Sequence, residues 1–156
     1  SIASKISPLV DRVNDFSPGD QEKVFDIGAA RIAPIICFEL LDDQILYAAA
    51  KGSNLFVVQT NSATFGRSPE SAQQLSITRV RAIEHSRNVL SVSTTGYSAV
   101  IDYKGKVVQQ TSMATAEHLY ASVGLIDQES VRDKLGDWAS VGTFFWLLLV
   151  ARRMRV

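Results

Sequence analysis

One cysteine, Cys37, stands in 156 residues, so neither an intrachain disulfide nor a cysteine-built metal site can form. Two histidines, His85 and His118, are too few to make a zinc site. Charge of one sign is not in excess: Lys plus Arg and Asp plus Glu each number 16, so no global field gathers nucleic acid or another polyanion. The opening, Ser1-Ile2-Ala3-Ser4-Lys5, has no initiator Met and no signal-peptide core, and reads as the interior of a longer polypeptide. What the composition does supply is 46% hydrophobic residues, enough for the core of one ordinary domain.

The cysteine ends a short apolar run, Arg31-Ile32-Ala33-Pro34-Ile35-Ile36-Cys37-Phe38-Glu39. Residues 41–52 follow with apolar positions at 41, 45, 48 and 49, acids in the first turn, and Lys51 and Gly52 at the end, which predicts a helix. Cys37 therefore sits where a strand turns into a helix. Such a turn exposes the side chain, aims backbone N–H groups at a developing oxyanion and favours the thiolate. The same stretch also reads as an inert small core residue at the end of an Ile-rich strand.

Before this run the pattern predicts a helix over 6–13, a turn over 16–20 and a strand over 23–27. Pro34 counts against a fully regular central strand at 31–37, because it cannot donate to a ladder. After the helix, residues 54–60 read as a second buried strand, so strand, helix and strand make a crossover with parallel neighbours. Ligand sites in such units lie beyond the carboxyl ends of the strands, which places Cys37 opposite the loop 61–67. In that loop Phe65 reads either as an exposed aromatic or as a core plug, and Gly66 as a position of special φ.

Ser68-Pro69-Glu70-Ser71 is a good helix start, and the helix is expected to run to about Arg87. Ala72, Leu75, Arg79, Ala82, Ile83 and Ser86 share one stripe of it. Arg81 and Glu84, three residues apart, form either a solvated pair or a buried one beneath the site. Strands joined by tight turns are expected over 89–95, 97–103 and 106–108, and another over 118–125. The tail from Trp138 to Ala151 carries no charge and ends Arg152-Arg153-Met154-Arg155-Val156. At about 21 Å it is shorter than a bilayer core of about 30 Å, yet aromatic and basic flanks suit a membrane helix whose tail is cytoplasmic. A buried C-terminal helix is the other reading.

Four motifs stand in order: Ile35-Ile36-Cys37-Phe38-Glu39; Thr60-Asn61-Ser62-Ala63-Thr64-Phe65-Gly66-Arg67-Ser68; Gln73-Gln74 with Arg79-Val80-Arg81-Ala82-Ile83-Glu84; and Thr95-Gly96-Tyr97-Ser98-Ala99-Val100-Ile101. Together they resemble the second half of the carbon-nitrogen hydrolase (nitrilase-like) domain of the apolipoprotein N-acyltransferase family. The likeness covers nearly the whole chain, and the loop variants look similar to those of actinobacterial members.

The resemblance implies an α/β fold, part of a four-layer α-β-β-α sandwich, over residues 1–137. A membrane helix and basic cytoplasmic tail are expected over 138–156, with the domain on the extracytoplasmic side of the cell membrane. It implies an acyltransferase without cofactor or metal, whose partners are a phospholipid acyl donor, a diacylglyceryl-modified apolipoprotein acceptor and the membrane, not nucleic acid. Cys37 would be the nucleophile, forming a thioester before transfer to the acceptor's α-amino group. Glu39 would be a required acid at the site, and Phe38, Asn61, Thr64, Phe65 and Gly66 would contact substrate. The family's catalytic glutamate and lysine lie before this segment, and Lys5 does not stand in the lysine motif. Where the family often has aspartate and tryptophan in the loop, this chain has Ser62 and Thr64; where it often has tyrosine, this chain has Phe38. A soluble amidase or nitrilase using the same cysteine, and a non-catalytic membrane-tethered module, are the rival readings.

Overall fold

A computed structural model describes residues 23–136 and 138–154; the helix expected over 6–13 and the turn over 16–20 lie outside them. Six strands make one mixed sheet in sequence order: β1 (Phe25–Ile27), β2 (Ala30–Ile36), β3 (Leu55–Thr60), β4 (Val89–Ser93), β5 (Ala99–Ile101) and β6 (Val107–Gln110). The three central strands, β2 to β4, are parallel, and the outer pairings are antiparallel. Helix α1 (Asp43–Gly52) connects β2 to β3, and α2 (Glu70–Glu84) connects β3 to β4. Pro34 is accommodated in β2 because β1 pairs only as far as Ile32, so the missing N–H falls where that edge is unpaired.

Alternation along the strands sends one set of side chains under the helices. Ala33, Ile35, Phe56, Val58 and Val89 pack there against Leu46, Ala49, Ala50 and Ala82. The opposite face is apolar and open: Ile36, Val92 and Val108 are exposed, and Val57 and Leu90 half-buried. Among the described residues the sheet is thus covered on one side only.

Asp42 caps α1, accepting from the N–H groups of Gln44 and Ile45 at 2.8 and 3.1 Å. Helix α2 is shorter than expected, because His85 leaves helical geometry and Ser86 takes φ +49°. The expected stripe is buried only in part: Ala82 points inward with Ser71 and Thr78, and Leu75 packs against the core, whereas Ala72, Arg79 and Ile83 are exposed. Of the two hydroxyls on the inward face, that of Thr78 is satisfied locally, Oγ1 donating to the Gln74 carbonyl at 2.8 Å.

The strand expected over 118–125 does not form. Residues 111–130 instead run as an irregular strap that leaves the β4–β5 turn, where Thr111 N donates to Ser98 O and Ala114 N to Thr95 O, and reaches the amino ends of β2, β3 and β4 at residues 124–128. Asn88 Nδ2 donates to Gly124 O at 2.7 Å, Ile126 N to Asn54 O at 3.1 Å, and Arg31 pairs with Asp127 at 2.7 Å. Arg87, 1% exposed, fastens the same region. Its guanidinium donates to the carbonyls of Ala50, Ser53, His85, Ser86 and Gln128, joining the ends of α1 and α2 to the strap. Burial lowers its pKa from the usual arginine value.

Helix α3 (Val131–Leu135) is capped by Ser130 and locked to α2 by His85 Nδ1, which donates to Asp133 at 2.7 Å. Burial pushes the Asp133 carboxyl upward, but the His85 and Ser130 hydrogen bonds and nearby charge outweigh it and hold the pKa below the usual carboxylate value. Because the folded pKa lies below the unfolded one, this contribution is present above the ordinary carboxylate range and is lost as pH falls through the folded value. Thermal unfolding followed against pH is expected to show a loss on acidification that Asp133→Asn reduces.

Helix α4 (Trp138–Arg153) forms where a terminal helix is expected. Its 16 residues extend about 24 Å at the α-helical rise, and among the described residues no helix is long and apolar enough to cross a membrane. The expectation of a membrane-spanning helix is corrected accordingly: the uncharged run ends at Arg152, too early for a bilayer core. Its apolar side chains remain outside any core, with Phe144, Phe145, Trp146 and Leu149 all exposed.

Candidate active site

Cys37 follows β2 directly and opens a 3-10 turn, Cys37–Leu41. Its φ is +52°, a left-handed conformation that a residue with a Cβ seldom takes. Strained backbone of this kind persists only where the surroundings enforce it, and it turns the side chain sharply out of the strand. The thiol is free and half-buried.

Two contacts enforce the turn. Ile36 N donates to the Glu39 carboxylate at 2.7 Å, closing the turn across Cys37. Arg81 Nε donates to the Leu40 carbonyl at 2.7 Å, while its NH1 meets Glu84 and Asp43, each at 2.7 Å. The Arg81 side chain is only 12% exposed, so of the two readings of the Arg81 and Glu84 pair the inner, structural one is observed. Burial lowers the Arg81 pKa, but its carboxylate partners more than compensate, and the net direction is upward. Glu39→Ala is expected to cost about 1 kcal/mol by removing a charge-assisted bond that solvent partly reaches. The check is the thermal midpoint together with the rate at which iodoacetamide alkylates Cys37.

The register pairs Ile36 with Gln59, so Cys37 emerges beside Thr60 and the loop after β3. Asn61 turns its side chain back on the loop: Oδ1 accepts from Ala63 N at 3.1 Å and from Thr94 Oγ1 at 3.0 Å. Thr64 is exposed. Phe65 closes the turn Ala63–Phe65, and its side chain lies outside the described part. Gly66 takes φ +57°, and nothing lies within 4 Å of where a β-carbon would stand, so backbone conformation rather than space selects glycine. Phe38 is 65% exposed beside the thiol.

A cleft of about 70 Å³ adjoins Cys37, with Phe38, Leu40 and Ile77 on its apolar side and Glu70, Gln73 and Gln74 from the first turns of α2. Sequence reasoning does not single out Glu70 at this site; its only signal is an acid within a well-marked helix start. A larger hollow of about 420 Å³ lies between α1, α3 and α4, lined by Tyr47, Arg132 and Trp138. Cys37 does not line it and borders the smaller cleft instead. Among the described residues no group of three His, Cys, Asp or Glu side chains could hold a metal ion.

Residues 6–133 match the carbon-nitrogen hydrolase family. The chain belongs to that family. As a carbon-nitrogen hydrolase it is 35% identical over 140 residues to the apolipoprotein N-acyltransferase of Geobacter metallireducens, a match covering 87% of this chain and 27% of that protein. It is also 35% identical over 107 residues to the apolipoprotein N-acyltransferase of Mycolicibacterium smegmatis, covering 68% of this chain and 18% of that one. The chain thus spans about a quarter or less of the length of these relatives. The resemblance carried by the four motifs is borne out, whereas an actinobacterial origin is not shown.

Among solved structures, Saccharomyces cerevisiae Nit3, of the nitrilase superfamily, aligns with a TM-score of 0.53 at 20% identity, over 64% of this chain and 40% of Nit3. A mutant of the Nesterenkonia AN1 amidase, from the nitrilase superfamily, aligns at 0.56 and 19%, over 84% of this chain and 50% of the amidase. At such identities the likeness establishes a nitrilase-like fold.

Proposed function

We propose that this chain is the C-terminal part of the catalytic domain of an apolipoprotein N-acyltransferase. The observation that carries the reading is Cys37 held at φ +52° in a braced strand-to-helix turn, in a chain similar to those acyltransferases along most of its length. The thiolate attacks the carbonyl carbon of a phospholipid acyl ester; the C–O bond breaks and the lysophospholipid alkoxide leaves with a proton. The α-amino group of a diacylglyceryl-cysteine then attacks the thioester, the C–S bond breaks, and the thiol is regenerated with an amide as product. Two steps through a thioester replace one harder transfer.

In this reading Cys37 is the nucleophile, and Glu39 acts through its bond to Ile36 N by holding the turn. Phe38 and the loop residues Asn61, Thr64, Phe65 and Gly66 border the substrates. The open sheet face, with Ile36, Val92 and Val108 exposed, receives the second sheet of a four-layer sandwich. The family's catalytic glutamate and lysine belong to that other half. Helix α4 lies along the membrane surface, its exposed aromatic and aliphatic side chains against lipid.

Full-length protein in detergent, given a phospholipid and a diacylglyceryl-cysteine peptide, is expected to produce the N-acylated peptide, while residues 1–156 alone produce none. A hydrolase of small amides using the same cysteine is the second reading. Amide hydrolysis without peptide acylation would establish it instead.

A further inference from the structure

We propose that one ordered water molecule occupies a small polar cavity between the start of α2 and the carboxyl ends of β3 and β4, and that it locks the loop beside Cys37. The cavity is about 10 Å³ and is lined by Thr60, Ser62, Ser71, Gln74, Ser93 and Tyr97, among others. That is close to the smallest space that holds a single water.

Hydrogen-bond accounting demands a ligand here. Ser71 is 4% exposed, and its Oγ is buried with no hydrogen-bond partner. Gly96 N donates to Ser93 Oγ at 3.0 Å, and Ser93 Oγ shares one bond with Ser62 Oγ at 2.7 Å. Gln74 Nε2 donates to Thr60 Oγ1 at 2.5 Å. These bonds use part of the capacity of Ser62 and Ser93 and none of that of Ser71, since each hydroxyl offers one donor and two lone pairs. A β-carbon on Gly96 would lie 2.7 Å from Ser93 Oγ, 2.8 Å from Ser71 Oγ and 2.9 Å from Ser62 Oγ, so all three hydroxyls border Gly96 and leave no room for a side chain there. Buried Ser68 Oγ and Thr95 Oγ1, also without partners, belong to the segments bounding this corner.

The chemistry of the lining selects the ligand. Thr60, Ser62, Ser71, Gln74, Ser93 and Tyr97 bring no charge, so an ion has no counter-charge, and only a neutral molecule of one heavy atom fits the volume. Water supplies an acceptor for the Ser71 proton and donors for the free lone pairs. By joining α2 to Ser62 it fixes the loop 61–67 against the neighbour of the strand that carries Cys37. The inference rests on this geometry and not on the reaction proposed above.

The test is a high-resolution crystal structure of the full-length protein with hydrogen exchange on its variants. Density for one water within hydrogen-bond reach of Ser71 Oγ and of Ser62 or Ser93 Oγ is expected. A solvent-free cavity, with Ser71 Oγ turned to a protein carbonyl, overturns the proposal. Ser71→Ala removes one of the water's partners and is expected to speed amide exchange in the loop 61–67 several-fold, leaving the interior of α2 unchanged. Ser71→Thr keeps the hydroxyl and is expected to exchange like the parent protein. Equal loosening by both variants, or by neither, overturns the proposal.

Discussion

Cys37→Ala in the full-length protein is expected to reduce acyl transfer by at least about a thousandfold, because a nucleophile that forms the covalent intermediate has no substitute in the unit. The fold is expected to survive. Cys37 is half-buried, belongs to no disulfide and contributes little to the core, and alanine meets the same left-handed strain at φ +52°. The thermal midpoint should move by no more than the equivalent of about 1 kcal/mol. Turnover by the alanine variant at the parent rate would remove Cys37 from the mechanism. Unfolding would instead assign it to the core, the bland reading that its position at the end of an Ile-rich strand left open.

Arg87→Met is expected to have the largest effect on stability, a loss of about 3–5 kcal/mol, because several buried carbonyls lose their donor at about 1–3 kcal/mol each. The guanidinium serves carbonyls of Ala50, Ser53, His85, Ser86 and Gln128, and methionine would leave them buried with no donor. The damage should spread to both helix ends and the strap. Denaturant unfolding of the full-length protein measures it, and a shift below about 1 kcal/mol would show that water replaces the guanidinium at no great cost. The prediction separates stability from chemistry, because Arg87 lies at the amino ends of the strands, away from Cys37.

Much of this was legible in the order of residues. The apolar run into Cys37, the acids and Gly52 around α1, and the Ser-Pro-Glu start of α2 are local signals, and the elements they mark formed where expected. The crossover logic then placed Cys37 beside the loop after β3, as the pairing of Ile36 with Gln59 shows. Other features depend on contacts far apart in the chain. The inward face of α2 runs through Ser71 and Thr78, which no hydrophobic periodicity marks; for Thr78 a local hydrogen bond offsets the burial. Residues 118–125 alternate like a strand yet belong to a strap held at Gly124 by Asn88, at Ile126 and Asp127 by Asn54 and at Gln128 by Arg87, with Asn88 and Gly124 36 residues apart. Glu39 was readable as an acid near a nucleophile, but not that its carboxylate would turn back onto Ile36 N.

The most direct test of the account is mass spectrometry of Cys37 in the full-length protein purified from membranes. A fatty-acyl adduct on Cys37 that hydroxylamine removes is the predicted result, since a thioester is the intermediate the reaction must pass through. Unmodified Cys37 that alkylates readily, in protein incubated with phospholipid and no acceptor, would contradict acyl transfer and favour the amidase reading. Cys37 that neither acylates nor alkylates would contradict any nucleophilic role.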